Sequence, residues 1–173
     1  MSYHFCMSEA KQSFTILYDQ HIERIYRFIY LKVDSSETAE DLCSEVFARV
    51  WKGFSDIESK QVENPQAFIY QIARNVIADH YREKSKVKIV AIEEVVEDNK
   101  SIEEQIMVNL EMDRIQKILL KLKEDYQNYI IWRYLDELSI LEISQIIGKS
   151  QDSVRVGVHR ALQALKRELE KQG

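Results

Sequence analysis

Only one proline and four glycines interrupt the 173 residues of this chain, and that scarcity constrains its fold more than any other feature. Proline clashes inside a helix and removes a backbone donor, while glycine raises the entropic cost of ordering one. A chain nearly free of both, and rich in Leu, Ile, Glu, Lys, Gln and Arg, favours helix almost throughout. The expected fold class is all-α. With 45% hydrophobic residues there is apolar material for one compact core or two small ones. Cys6 and Cys43 fit neither a disulfide framework nor a metal-ligand spacing, and Cys43 falls on the apolar side of a helical pattern, so a reduced thiol is expected. Met1 to Gln12 is polar, and no apolar run approaches the roughly 18 residues of a membrane span. A cytoplasmic protein without direct membrane insertion is expected.

The net charge of −5 at first opposes nucleic-acid binding, which draws much of its affinity from Lys and Arg on phosphates. Its distribution removes the objection, because residues 1–90 carry −1, residues 91–112 carry −6 and residues 113–173 carry +2. The acidic stretch Ile92 to Glu104 (IEEVVEDNKSIEE) lacks a sustained helical period, follows the basic run Arg82 to Lys88, and reads as a flexible linker. Two small helical domains are therefore expected, residues 1–88 and 109–173, tethered by an acidic linker over 89–108.

In the first domain Ala39, Leu42, Cys43, Val46, Phe47, Val50, Trp51 and Phe54 follow the spacing of an amphipathic helix with one wide apolar face. Its other face carries Asp41, Glu45 and Arg49. The same spacing returns in Phe68, Ile69, Ile72, Ala73, Val76, Ile77, His80 and Tyr81 after Asn64-Pro65, where proline suits a first helical turn. Gln71, Asn75, Asp79 and Arg82 line its polar side. An earlier helix, from about Ser13 to Val33, supplies Phe14, Leu17, Tyr18, Ile22, Ile25, Phe28 and Ile29 and completes a bundle.

In the second domain Ile115, Ile118, Leu119 and Leu122 begin a helix, and Tyr126 to Leu135 (YQNYIIWRYL) forms another. Ser139 can cap a short helix holding Ile140, Ile143, Ile146 and Ile147; Gly148 suits a left-handed terminating position, and Ser150 can cap the next helix. Such an order, from Leu138 to Leu169, is that of a helix-turn-helix. The last helix is expected to bury Val154, Val158, Ala161, Leu162, Leu165 and Leu169, turning Arg155, Val156, His159, Arg160, Gln163, Lys166 and Arg167 outward. Lys149 to Arg167 carries a local +4. The bland alternative is a solvated basic face on an ordinary helical hairpin. The functional one places this helix in the major groove, with Arg155 pairing to guanine and Lys166 and Arg167 on phosphate.

Little else points to chemistry. His4, His21, His80 and His159 have no partners at metal spacing, and no paired acid, Ser-His-Asp or Gly-rich phosphate pattern occurs. No catalytic residue, metal or cofactor is expected. The Asp41, Glu45, Arg49 face, taken as that of an isolated helix, reads as solvated charge. His80-Tyr81-Arg82 followed by Lys84, Lys86 and Lys88 is either a basic domain edge or a contact for unpaired bases, where rings stack and cations follow phosphate.

Three runs, AEDLCSEVFARVWKGF, NPQAFIYQIARNVIADHYREK and LSILEISQIIGKSQDSVRVGVHRALQALKREL, in this order and at these separations, resemble the bacterial extracytoplasmic-function (ECF) sigma factors. The likeness spans nearly the whole chain apart from the first dozen residues and the acidic linker. It implies a sigma factor, not an enzyme, that binds core RNA polymerase and directs promoter-specific initiation, including strand opening. By matching position, Asp41, Glu45, Phe47, Arg49 and Trp51 become candidate polymerase contacts, with Phe47 and Trp51 mostly in the core. Asn75, Asp79, His80 and Arg82 become candidate minus-ten contacts, and Arg155, Val156, His159 and Arg160 candidate minus-thirty-five contacts. The resemblance also implies an anti-sigma partner, membrane-linked in many relatives. Gly157 and Leu162 depart from it, standing where many relatives carry Arg or Lys, so weaker phosphate contact is expected. Two competing classes are a dimeric repressor or activator, which would hold a palindrome without polymerase, and a nucleic-acid-processing enzyme, which would need a carboxylate or His cluster.

Overall fold

The structure, a computed structural model, describes residues 2–56, 62–87 and 103–171, with side chains over 11–53, 62–86 and 111–171. In chain order its elements are α1 (Ser2–Tyr30), α2 (Ser36–Asp56), α3 (Pro65–Val87), α4 (Glu103–Leu119), α5 (Glu124–Ile130), a π-helical turn (Ile131–Leu135), α6 (Ile140–Ile147) and α7 (Gln151–Glu170). All regular structure among the described residues is helical, as the dearth of breakers predicts. No helix among them is long and apolar enough to cross a membrane.

Several boundaries differ from the sequence reading. α1 starts at Ser2 instead of about Ser13, because polar helix formers extend a helix without displaying an apolar stripe. It stops at Tyr30; Leu31 and Lys32 leave it through amide bonds to the Arg27 and Ile29 carbonyls at 3.0 and 2.9 Å, and Leu31, Lys32 and Val33 turn into the core. Lys88 and most of the acidic stretch lie outside the described residues, yet α4 begins at Glu103 and so takes in residues 103–108, which composition assigns to the linker. Acidic composition favours a helix start as much as it marks a tether.

In the first lobe Asn64 caps α3, its side-chain oxygen accepting from the Ala67 amide at 2.9 Å, and Pro65 opens the helix. Ile25, Phe28 and Ile29 of α1, Val46 and Val50 of α2, and Ile69, Ala73, Val76 and Ile77 of α3 interlock with almost no exposure. Cys43 is buried among them, and desolvation pushes its thiol up to about 11, so it stays protonated and unreactive. In the second lobe Leu119, Ile131, Ile143, Ile146, Val154 and Ala161 close the core beneath α5, α6 and α7.

The segment expected to run as one helix from Tyr126 to Leu135 is helical throughout, but its last turn, Ile131–Leu135, is π-helical. The Asp136 amide reaches back five residues to the Ile131 carbonyl at 2.9 Å, the Leu138 amide bonds to the Trp132 carbonyl at 2.8 Å, and Glu137 leaves with a φ of 56°. A widened turn of this kind interrupts α-helical register. Trp132 and Asp136 are both delivered to the first lobe.

There the tethered lobes expected from sequence are packed together. Trp132, fully buried, stacks on Phe28 at 5.8 Å and 8° and meets Tyr70 edge-on at 5.9 Å. Burying side chains of this size contributes on the order of 2–3 kcal/mol each. The Asp136 carboxylate, with no solvent exposure, pairs with Arg27 and accepts from the Tyr70 hydroxyl at 2.6 Å. Buried Lys32 donates to the Asn128 side chain at 2.5 Å and lies 3.6 Å from Glu124. The Gln116 amide bonds to the Tyr30 and Val33 carbonyls at 2.5 and 2.6 Å, and Tyr30 donates to Asp113 at 2.6 Å.

This packing makes stability pH-dependent in a defined sense. Burial pulls the Lys32 ammonium down to about 8; Glu124 opposes that and Arg74 adds to it. The unfolded chain therefore holds that proton more tightly, and stability should rise with pH from about 8 towards 10.5. Tyr30, held up to about 12 mainly by desolvation, acts oppositely above pH 10, where the unfolded chain loses a phenolic proton that the folded one keeps. Urea midpoints should thus increase between about pH 8 and pH 9.5 in the wild type. Lys32→Met should flatten that rise; an undiminished rise in the variant would contradict the assignment.

Candidate nucleic-acid interface

The helix-turn-helix is built by local chemistry at three positions. Ser139 and Glu142 form a reciprocal capping box, the Glu142 amide donating to Ser139 Oγ at 3.1 Å and the Ser139 amide to Glu142 Oε2 at 2.8 Å. α6 ends at Gly148, whose φ of 66° and ψ of 30° place it in the left-handed region. Ser150 then caps α7, accepting from the Ser153 amide at 3.3 Å. Each substitution of such a cap by Ala costs about 1 kcal/mol.

These caps fix which side of α7 faces inward. Val154, Val158 and Ala161 are buried, while Arg155, Val156, His159, Arg160, Gln163, Lys166 and Arg167 are exposed, as the spacing predicts. Leu169 is not buried as expected: it is 47% exposed at the last turn, where α7 has outrun the helices that cover it. Arg155 pairs with Asp152 at 2.7 Å and His159 sits 3.0 Å from Gln163. Both are solvent-facing contacts of the kind worth under about 1 kcal/mol, readily exchanged for a ligand.

In the first lobe Asp41, Glu45 and Arg49 lie exposed on α2 and Asn75 on α3. Arg49 joins the two helices, bonding to Glu45 at 2.5 Å and Asp79 at 3.2 Å, and Arg82 bonds to the same Asp79 at 2.8 Å. Phe47 is buried edge-on against Tyr18 at 4.7 Å, and half-buried Trp51 meets Phe14 at 5.1 Å. These two rings fasten α2 to α1. His80 is half-buried beside Tyr81, whose hydroxyl bonds to the Lys32 carbonyl and whose ring stays 38% exposed; Lys84 pairs with Asp34.

Tyr70, Arg27 and Asp136 formed no sequence pattern, since each lies off its own lobe's apolar stripe. Gln71, read as solvent-facing, donates to the Ile146 carbonyl of α6 at 3.1 Å. Among the described residues no group of His, Cys, Asp and Glu could hold a metal.

Residues 17–87, comprising most of α1 with α2 and α3, match sigma-70 region 2, and residues 112–165, running from α4 into α7, match sigma-70 region 4. The chain is 30% identical over 158 residues to the ECF RNA polymerase sigma factor BldN of Streptomyces coelicolor, an alignment covering 90% of this chain and 60% of BldN. Against the ECF RNA polymerase sigma factor SigW of Bacillus subtilis it is 28% identical, with 92% of this chain and 90% of SigW covered. The chain belongs to the ECF sigma factors. A sigma factor directs promoter-specific transcription initiation and does no chemistry of its own. The fold is also that of CnrH, solved with the cytosolic domain of CnrY, at a TM-score of 0.72 and 17% identity over 98% of this chain and 97% of CnrH. It is likewise that of RpoE from Bartonella quintana, solved with the anti-sigma factor NepR, at a TM-score of 0.64 and 20% identity over 92% of this chain and 96% of that one.

Within this sigma factor Gly157 has a structural reason for lacking a side chain. A Cβ there would sit 2.5 Å from two ring carbons of Tyr129, which is buried against the α7 backbone. Leu162 is half-buried, so neither position is simply a missing phosphate contact. Gly157→Ala should gain up to about 1 kcal/mol of helix propensity but lose about 1–3 kcal/mol to overpacking, for a net loss. A lowered urea midpoint should result, largely relieved in a Tyr129→Ala background; a variant more stable than wild type would overturn this account.

Proposed function

We propose that this sigma factor contacts core RNA polymerase through the exposed Asp41, Glu45 and Arg49 face of α2, with Phe47 and Trp51 acting from beneath to hold that helix in place. In this reading residues 1–88 serve polymerase binding and the minus-ten element, residues 109–173 serve the minus-thirty-five element, and residues 89–108 join them. Asn75, Asp79, His80 and Arg82 contact the minus-ten element, where an extruded base becomes readable because base edges are inaccessible within a stacked duplex. Arg155, Val156, His159 and Arg160 read the minus-thirty-five element in the major groove, and Lys166 and Arg167 take phosphate.

The observation that carries this reading is the capped helix-turn-helix presenting Arg155, Val156, His159 and Arg160 together on one exposed face. The nearly neutral first lobe fits a factor that holds promoter weakly alone and well within the holoenzyme. The neighbours CnrH and RpoE, each solved with a partner protein, support an anti-sigma partner here, membrane-linked in one form of the proposal, with the sigma factor in the cytoplasm beside polymerase.

Run-off transcription with purified chain and core polymerase tests the whole. Promoter-specific transcripts are expected; tight binding of a palindrome by the chain alone, with no transcript, would sink the reading. Within that assay Arg155→Ala should relax preference at one base pair by about 1–3 kcal/mol, whereas Lys166→Ala should weaken all sequences alike and reduce the salt slope by about 1. Equal losses on every sequence from both variants would refute the division of roles.

A further inference from the structure

Beside α3, a cavity of about 50 Å³ is lined by Arg74 from that helix, by Asp125, Asn128 and Trp132 from α5 and the π turn, and by Lys149 from the turn before α7. Its walls are rich in donors and poor in acceptors. The indole Nε1 of Trp132, a fully buried side chain, and Nε of Arg74 are both sealed from solvent and meet no acceptor among the described residues. The Arg74 guanidinium lies 6.0 Å from the Trp132 ring centre, and neither it nor Lys149 is paired with a carboxylate among those residues. The Asn128 side-chain oxygen is already taken by Lys32. Asp125, exposed at the surface, is the one carboxylate among the described lining residues.

A buried N–H without an acceptor forfeits its hydration, and a charged one forfeits more, so two of them on one cavity mark a place where something accepts. Water is a poor match. Each water that accepts from an indole or guanidinium N–H brings two hydrogens that need acceptors of their own, and these walls offer few. An anion accepts several bonds and donates none. Two cations, Arg74 and Lys149, against the single carboxylate of Asp125 leave an excess of one positive charge, in surroundings less polarisable than water. Size narrows the choice of anion. One water needs about 10–15 Å³ of such space, so the cavity holds roughly four oxygen-sized positions, as many as a tetrahedral oxyanion has.

We propose that this cavity binds a free tetrahedral oxyanion, sulfate or inorganic phosphate, held by the Trp132 indole N–H, the Arg74 guanidinium and the Lys149 ammonium. Trp132 and Arg74 supply the rigid part of the cradle, since the indole is stacked on Phe28 and the guanidinium rests over its ring. Exposed Lys149, next to the left-handed Gly148, closes the site from the solvent side. Asp125 works against the ligand and limits its affinity.

The test uses the full chain with Trp51→Phe, which leaves Trp132 as its only indole. Sulfate titrated at constant ionic strength should change Trp132 emission along a saturable single-site curve, and inorganic phosphate should do the same. Two exposed positions should move the affinity in opposite directions without threatening the fold. Lys149→Gln should weaken sulfate by about tenfold, as loss of a charge-assisted bond implies, whereas Asp125→Asn should tighten it by about threefold. Arg74→Gln, checked for helical content by circular dichroism, should abolish the saturable response. Glycerol 3-phosphate carries the same group on a substituent the cavity has no room for and should bind more weakly than inorganic phosphate; equal affinity would overturn the assignment to a free ion. A linear response to sulfate, or a saturable one that neither Lys149→Gln nor Asp125→Asn shifts, would overturn the site itself, leaving the cavity to water and the response to a general salt effect.

Discussion

A carboxylate sealed from solvent must find its partners within the protein, and Asp136 finds them on the other lobe, in the Arg27 guanidinium and the Tyr70 hydroxyl. That requirement organises much of the molecule around it. Tyr70 keeps its ring edge-on to Phe28 of its own bundle at 5.5 Å while its hydroxyl reaches the carboxylate of the other lobe, and burial next to that carboxylate pushes its phenol far up, which holds it as a donor. Trp132, four residues before Asp136, must lie flat on Phe28, and the backbone between them widens into a π turn to allow both.

The same constraint ties architecture to function. In the proposed reading the two lobes take promoter elements far apart on DNA, so they gain from being separable, whereas a hydrophobic interface alone would weld them. Mixing one stacked indole with charged and amide groups, among them Lys32 on Asn128 and Gln116 on two carbonyls, gives an interface whose polar members are all satisfied by water when it opens. Surface pairs such as Arg49 with Asp79 and Arg155 with Asp152 belong to another class, weak and available for exchange with a partner.

Much of the fold was readable because it is written in short-range patterns. The apolar stripe of α2, from Ala39 to Val50, and the Ser139, Gly148 and Ser150 punctuation of the helix-turn-helix each depend only on residues within a few turns. Glu142, which completes the capping box, carried a signal three residues after Ser139 that the spacing rules would have found. The polar helix α1 before Ser13 and the first turns of α4 were missed because periodicity registers only helices with a contrasting face. Gly157 looked like a lost cation, since nothing local shows that Tyr129, 28 positions earlier, lies across its backbone.

By itself the sequence determined the helical class, the order of the two lobes, the caps of the helix-turn-helix and the outward face of α7. Those features follow from intrinsic propensity and from hydrogen bonds a few residues long. Only the tertiary structure decided that the lobes are closed on one another and that Arg27, Tyr70 and Asp136 form one cluster. These depend on side chains 43 to 109 positions apart, and each looks in isolation like an ordinary surface polar or aromatic residue. Burial by a distant partner changes what a residue does without changing any pattern around it.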